Sequence, residues 1–276
     1  MSRGKRHRKN SERKNGADAL REWQRERLAR DRELPVPAPG PSEVSLVAYH
    51  VRPADRADED FLPLEAAIRE SWRHCGFLHT VIVAPAETPA LRAFSEPYGI
   101  GVEVCVEPSL DPARPETEAE DRIARLPERF ATPFALLVSE DGFPLRPGLG
   151  SFLDHWDFIG APLVSEGWWG NLVRSFLNTH VMDGAFSLRS RTLCERVAEE
   201  WKARRSSIRK PEDGPFQTRF LPRKSLSYRS SARLPMAHEA TAFAYDATVP
   251  FRGRIPPFGF HGPAAFKWLL DNGKIA

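Results

Sequence analysis

The chain has 276 residues, with 40 Lys+Arg against 37 Asp+Glu and a formal net charge of +3. Its length allows a full hydrophobic core, and no apolar run reaches the ~18–20 residues that span a bilayer. Cys75, Cys105 and Cys194 stand too far apart for a zinc ribbon or a disulfide framework, so a reducing cytoplasm is the expected setting.

The charge is uneven. Residues 1–34 hold 12 Lys+Arg and 6 Asp+Glu, which leaves the remainder at net −3. The basicity belongs to an appendage, and the sequence pI near 8.8 says little about the body. Residues 1–15 carry seven bases and one acid, a density that cannot bury apolar area to offset ordering entropy, so disorder is expected there. Residues 17–33 are rich in helix formers, with Glu26 and Arg30 at i,i+4. Their only strongly apolar residues are Leu20, Trp23 and Leu28, which makes a helix marginal by itself. Four prolines in Leu34–Ser42 read as a stiff linker. Residues 1–42 are therefore expected as a basic tail, either a plain solubilising extension or a weak contact for nucleic acid or for an anionic membrane surface at the periphery.

Residues 43–276 are expected as a single domain. Val44–Val51, His79–Ala86, Val102–Pro108 and Phe134–Asp141 are apolar runs of strand length. Helical patterns separate them at 61–72, 88–98 and 116–129. This alternation predicts an α/β fold with a mainly parallel sheet and helices on both faces. Past Asp141 the pattern loosens: a short helix at 148–156, strands at Phe158–Pro162 and Ala185–Ser190, a helix carrying Leu193, Val197 and Trp201, and another near 263–270. The division suggests a nucleotide-binding half, 43–141, and an acceptor half, 142–276.

Four constellations could carry chemistry. Ser139-Glu140-Asp141 ends a buried strand, where open α/β sheets bind ligands, and a carboxylate there can hold a divalent cation. Its plainer reading is a charged loop. Pro211-Glu212-Asp213-Gly214 pairs two acids that could include a general base, or is simply a solvated turn. His261, within Pro257–Gly262, could complete a metal site with Asp141, particularly for Mn²⁺, which tolerates nitrogen, or be a packed histidine; His50 and His238 are weaker rivals. Asp183-Gly184-Ala185-Phe186-Ser187-Leu188-Arg189 could bring backbone, hydroxyl and guanidinium to a ligand, with Trp168 and Trp169 nearby as sugar-stacking faces or as a plug at the core's edge. There is no P-loop, GxGxxG, HExxH or GxSxG, which disfavours P-loop NTPases, Rossmann oxidoreductases, zincins and α/β-hydrolases.

HWDFIGAP (His155–Pro162), DGAFSLRSR (Asp183–Arg191), PEDGPF (Pro211–Phe216), AHEATAFAYD (Ala237–Asp246) and PPFGFHG (Pro256–Gly262) occur in the order of the DUF5672 family, which this chain resembles over roughly 44–265. The resemblance implies a GT-A-like (nucleotide-diphospho-sugar transferase) sandwich, a UDP- or GDP-sugar donor, a divalent cation (Mn²⁺ or Mg²⁺) and a glycan or other hydroxyl acceptor. It implies Asp141 and His261 as metal ligands and Asp213 with Glu212 as the base. Glu140, Asp157, Trp168, Trp169, Asp183, Gly184, Ser187 and Arg189 are the expected donor- or acceptor-binding residues. Val181-Met182-Asp183-Gly184-Ala185 stands where the family usually has Gly-Asn-Gly-Gly before Phe-Ser-Leu-Arg, which bears on the acceptor. The expected function is a metal-dependent glycosyltransferase, inverting or retaining. The alternatives are an inactive glycan- or nucleotide-binding module of the same fold and a metal-dependent nucleotide-sugar hydrolase.

Overall fold

The computed structural model describes residues 3–31, 43–163, 181–204, 232–235, 237–247 and 255–275. Its centre is one sheet built from β1 (Val44–Tyr49), β2 (His79–Ala84), β3 (Val102–Val106), β4 (Phe134–Val138), β5 (Phe158–Leu163) and β6 (Val181–Ser190). The spatial order is β3-β2-β1-β4-β6-β5. β1 pairs in parallel with β2 and β4, and β2 with β3, while β6 runs antiparallel to both β4 and β5. The mixed α/β architecture and mainly parallel sheet expected from the alternation are present. The reversed β6 is the feature that alternation did not indicate.

Every residue of β1 is buried, as a central parallel strand covered on both faces requires. Period-2 alternation divides its side chains. Leu46 and Ala48 join Ile82, Leu136 and Val138 on one face, and Val47 and Tyr49 join Val81, Val83 and Leu137 on the other. Edge strand β3 is only partly covered.

The first face is closed by α1 (Arg3–Asp31), α2 (Leu62–His74) and α9 (Pro263–Asp271). The second is closed by α4 (Pro115–Ala124), α5 (Leu126–Arg129) and α7 (Arg191–Arg204). The short α3 (Pro89–Ser95), α6 (Gly150–Leu153) and α8 (Ala237–Phe243) complete the α-helices of the described residues, with 3-10 turns at Glu59–Phe61 and Glu96–Gly101. Proline is frequent, at 25 of 276 residues, and the helices explain part of it. α2, α3, α4, α5 and α9 each carry a proline in their first two positions, where the missing N–H costs nothing. The single helix expected over 116–129 is two, because Pro127 cannot continue an α-helix, and Arg125 leaves helical geometry at φ −124.

α1 departs most from expectation. It is helical from Arg3, through the stretch whose charge density predicted disorder. Once its later turns are anchored, extending the helix adds a hydrogen bond per residue without a new nucleation cost. The anchor is tertiary. Leu20, Trp23 and Leu28 are buried; Trp23 stacks on Phe143 at 5.8 Å and meets Phe266 edge-on at 5.4 Å. Gly16 is the closest approach: a β-carbon there would lie 2.6 Å from the Pro263 carbonyl oxygen. No helix among the described residues is long and apolar enough to cross a membrane.

Two substitutions test this docking. In an isolated helix, Gly16→Ala should stabilise by about 1 kcal/mol. Here the new methyl meets the α9 backbone, so a lower denaturation midpoint is expected, and a higher one would contradict the contact. Trp23→Ala should cost about 3–5 kcal/mol and remove hydrogen-exchange protection from residues 16–30.

Candidate functional site

β4 ends in a tight turn. Ser139 N–H donates to the Gly142 carbonyl at 2.9 Å and Gly142 N–H returns a bond to the Ser139 carbonyl at 3.2 Å. Ser139 Oγ donates to Asp141 Oδ1 at 2.9 Å, which fixes that carboxylate. Gly142 is required by space: a β-carbon there would stand 2.8 Å from Phe186 Cβ and 3.3 Å from His261 Cδ2.

The last contact involves a residue far along the chain. The short strands β7 (Ala244–Asp246) and β8 (Gly259–His261) pair in parallel, with Asp246 opposite His261. β8 is tied to the segment after β4 by Leu145 N–H donating to the Phe258 carbonyl at 2.8 Å and by Gly262 N–H donating to the Asp141 carbonyl at 2.7 Å. His261 is thereby seated beside the Asp141 turn, and its Nδ1 faces Asp246 Oδ2 at 3.5 Å. Asp246 was not singled out from the sequence. The available signal was the apolar run Ala242–Tyr245 ending in a carboxylate, the same pattern that drew attention to Asp141.

Two clefts meet at this turn. One, of about 240 Å³, opens over the end of β1 and is lined by Tyr49, His50, Arg52, Arg122, Asp141 and Ala185, among others. Burial, then the Asp121 carboxylate that accepts its hydroxyl at 2.8 Å, pushes the Tyr49 phenol well above its ordinary range. Burial lowers the His50 imidazole, whose Nε2 lies 2.8 Å from the Ala57 carbonyl, so His50 is a neutral packed histidine at pH 7. The second cleft, of about 590 Å³, lies between α1 and the 52–63 segment and shares Arg52, Glu140 and Asp141 with the first. Glu140 is held from both sides. Its Oε2 pairs with Arg52 Nη2 at 2.5 Å, and its carbonyl accepts from Gln24 Nε2 at 2.6 Å. Burial works to lower the Arg52 pKa, but the Glu140 charge outweighs it and the net direction is upward.

The other sequence candidates are dispersed. Ser187 and Arg189 are buried, and both donate to the Gly184 carbonyl, at 3.0 and 2.8 Å; Arg189 Nε also donates to Ser187 Oγ at 3.0 Å. They brace the β6 backbone next to Ala185. Asp157 lies at the opposite edge of the sheet. Its Oδ2 accepts from the Arg233 N–H at 2.7 Å and its carbonyl accepts from Ser190 N–H at 2.8 Å, beside the amino end of β4. Asp183 lies on β6, and His238 on α8. Trp168, Trp169, Glu212 and Asp213 lie outside the described residues.

No curated protein sequence matches the chain closely enough to count as a relative. Among similar solved structures is the mannosyltransferase PcManGT from Pyrobaculum calidifontis in complex with GDP-Man and Mn²⁺, at 10% identity and a TM-score of 0.36, covering 67% of this chain and 56% of that one. Another is the glycosyltransferase GlyE of Streptococcus pneumoniae TIGR4, at 12% identity and a TM-score of 0.41, covering 79% of this chain and 54% of that one. The chain spans about half the length of these structures, and likeness at this level carries no argument about chemistry. The family model described as "Protein of unknown function (DUF5672)" matches residues 125–261, from the start of α5 to His261 itself, and these residues belong to that family.

Proposed function

We propose that the chain is a glycosyltransferase of GT-A-like type, moving a sugar from a nucleotide-sugar donor to a hydroxyl acceptor with the help of a divalent cation. One observation carries the reading: the Gly262–Asp141 backbone bond of 2.7 Å seats His261 beside a carboxylate at the carboxyl end of a parallel sheet, where such folds bind ligands. Among the described residues, no group of three or more His, Cys, Asp or Glu is arranged to hold a metal. A carboxylate and an imidazole suit an ion that takes its remaining ligands from water and substrate phosphates, which is the habit of Mg²⁺ and Mn²⁺, and the nitrogen donor favours Mn²⁺. Asp246 Oδ2 faces His261 Nδ1 at 3.5 Å, a charge contact and not a hydrogen bond, which favours Nε2 as the coordinating atom.

When bound, the cation supplies neutralisation of the charge that develops on the leaving nucleoside diphosphate. Asp141, clamped by Ser139 Oγ, holds its carboxylate without a reorganisation cost. Arg52, tethered to Glu140, keeps a permanent positive charge where both clefts open. Ser187 and Arg189 position the Gly184–Ala185 backbone along the smaller cleft. For an inverting transfer, Asp213 or Glu212 removes the acceptor's proton.

Asn at position 141 retains the acceptor for Ser139 Oγ, so Asp141→Asn isolates the loss of charge. Calorimetry with UDP and GDP should show metal-dependent binding in the native chain and at least a tenfold loss in the variant, with an unchanged melting temperature in the absence of metal. Undiminished metal-dependent binding would overturn the assignment. Asp246→Asn should weaken Mn²⁺ itself by about 10–100-fold, read by titration of the ion without nucleotide.

A further inference from the structure

The larger cleft is walled by α1, which lies outside the family match. Residues of that helix at helical spacing face it: Arg21, Gln24 and Arg25 among them. Gln24 is the fixed point, because its Nε2 bonds the Glu140 carbonyl at 2.6 Å and the Pro63 carbonyl at 3.2 Å. Arg21 and Arg25, three residues before it and one after it, are exposed and line the same cleft as Glu140 and Asp141.

The charges of the cleft are unequally engaged. Of its carboxylates, Glu140 pairs with Arg52 at 2.5 Å, Asp60 with Arg56 at 3.3 Å, and Asp141 accepts from Ser139 Oγ at 2.9 Å. Among the described residues, neither Arg21 nor Arg25 has a hydrogen-bond or ion-pair partner, and Glu59 and Asp141 are the lining carboxylates outside those ion pairs, with Asp141 the one assigned to a cation. Two arginines at i,i+4 work against a helix, and here they share one opening with Arg52 and Arg56. A cavity of about 590 Å³ is large enough for a substrate fragment. Guanidinium forks match phosphate oxygens two at a time and hold their charge at any relevant pH.

We propose that Arg21 and Arg25 of α1 complete a binding subsite for a phosphate or diphosphate group in this cleft, with Arg52 and Arg56 on the opposite wall. The helix is then a working wall of the site, and its basic charge selects an anionic substrate. The inference deepens the transferase reading, because the anion lies next to Asp141, yet its test does not depend on turnover.

The experiment is calorimetry of the full chain with inorganic pyrophosphate, with and without Mn²⁺. Arg21 and Arg25 are exposed, so the double variant R21Q/R25Q should keep the native melting temperature. It should bind pyrophosphate at least about tenfold more weakly. The control K14Q/R30Q removes the same charge from exposed positions of the same helix that do not line the cleft. It should change affinity by less than about twofold, because such charges are screened. Equal losses in both variants, no loss in R21Q/R25Q, or no pyrophosphate binding by the native chain would overturn the subsite. The source of the phosphate is read in parallel. A loss that extends to UDP and GDP assigns the subsite to the donor. A loss confined to pyrophosphate and a hexose 1-phosphate assigns it to a phosphorylated acceptor. If Asp141→Asn keeps metal-dependent nucleotide binding while R21Q/R25Q loses pyrophosphate, the transferase reading fails and the anion subsite stands. The converse pattern reverses the two.

Discussion

The 2.7 Å hydrogen bond from the Gly262 amide to the Asp141 carbonyl is the constraint on which the site depends. A strand end by itself presents a carboxylate to solvent. Here the turn after β4 is a template on which β8 is laid, and β8 brings β7 with it through parallel pairing. The result is a chain of contacts, from Ser139 Oγ to the Asp141 carboxylate, from the Asp141 carbonyl to the Gly262 amide, and from His261 Nδ1 to Asp246 Oδ2. The absence of a side chain at Gly142 is what permits it, since the space that a methyl would need is occupied by Phe186 and His261.

The same segment carries the aromatic contacts that attach α1. Phe143, one residue past the glycine, meets Phe260 edge-on at 4.8 Å and Trp23 face to face at 5.8 Å. Offset and edge-on ring pairs contribute about 0.5–1.5 kcal/mol each beyond the area they bury. One side chain therefore couples the turn, β8 and the helix. This coupling connects two properties that look separate in the sequence, a basic segment with few apolar residues and an acidic strand end. On the opposite face, Arg129 bridges Asp121 at 2.7 Å and Glu107 at 2.9 Å, while Arg122 sits 4.7 Å over the Tyr49 ring. Of these residues, Tyr49 and Arg122 line the smaller cleft.

Much of the fold was legible in the sequence. The parallel strands are continuous apolar runs because both faces of the sheet are covered, and their helices repeat apolar residues at helical spacing. β6 was legible only in part. Its length and reversed direction follow from a slot between β4 and β5, and pairing of that kind is not encoded in local pattern. Asp141 and His261 were recognisable as candidates because one ends a buried strand and the other lies between glycines and aromatics. Asp157 was equally plausible in sequence, yet it lies at the far edge of the sheet, bonded to Arg233 and Ser190. Nothing local distinguishes a carboxylate at one end of a sheet from one at the other.

The sequence by itself determined the strand and helix alternation, the uneven charge and the identities of the chemically capable residues. These are properties of short segments, governed by periodicity and side-chain type. Tertiary structure alone decided which of those residues meet, and that a helix marginal in isolation becomes part of the core. Its three apolar residues are too few to stabilise it in water. They suffice when Phe143, Phe266 and the α9 backbone already form a surface complementary to them, because burying each large apolar side chain is worth about 1.5–3 kcal/mol only where there is something to bury it against.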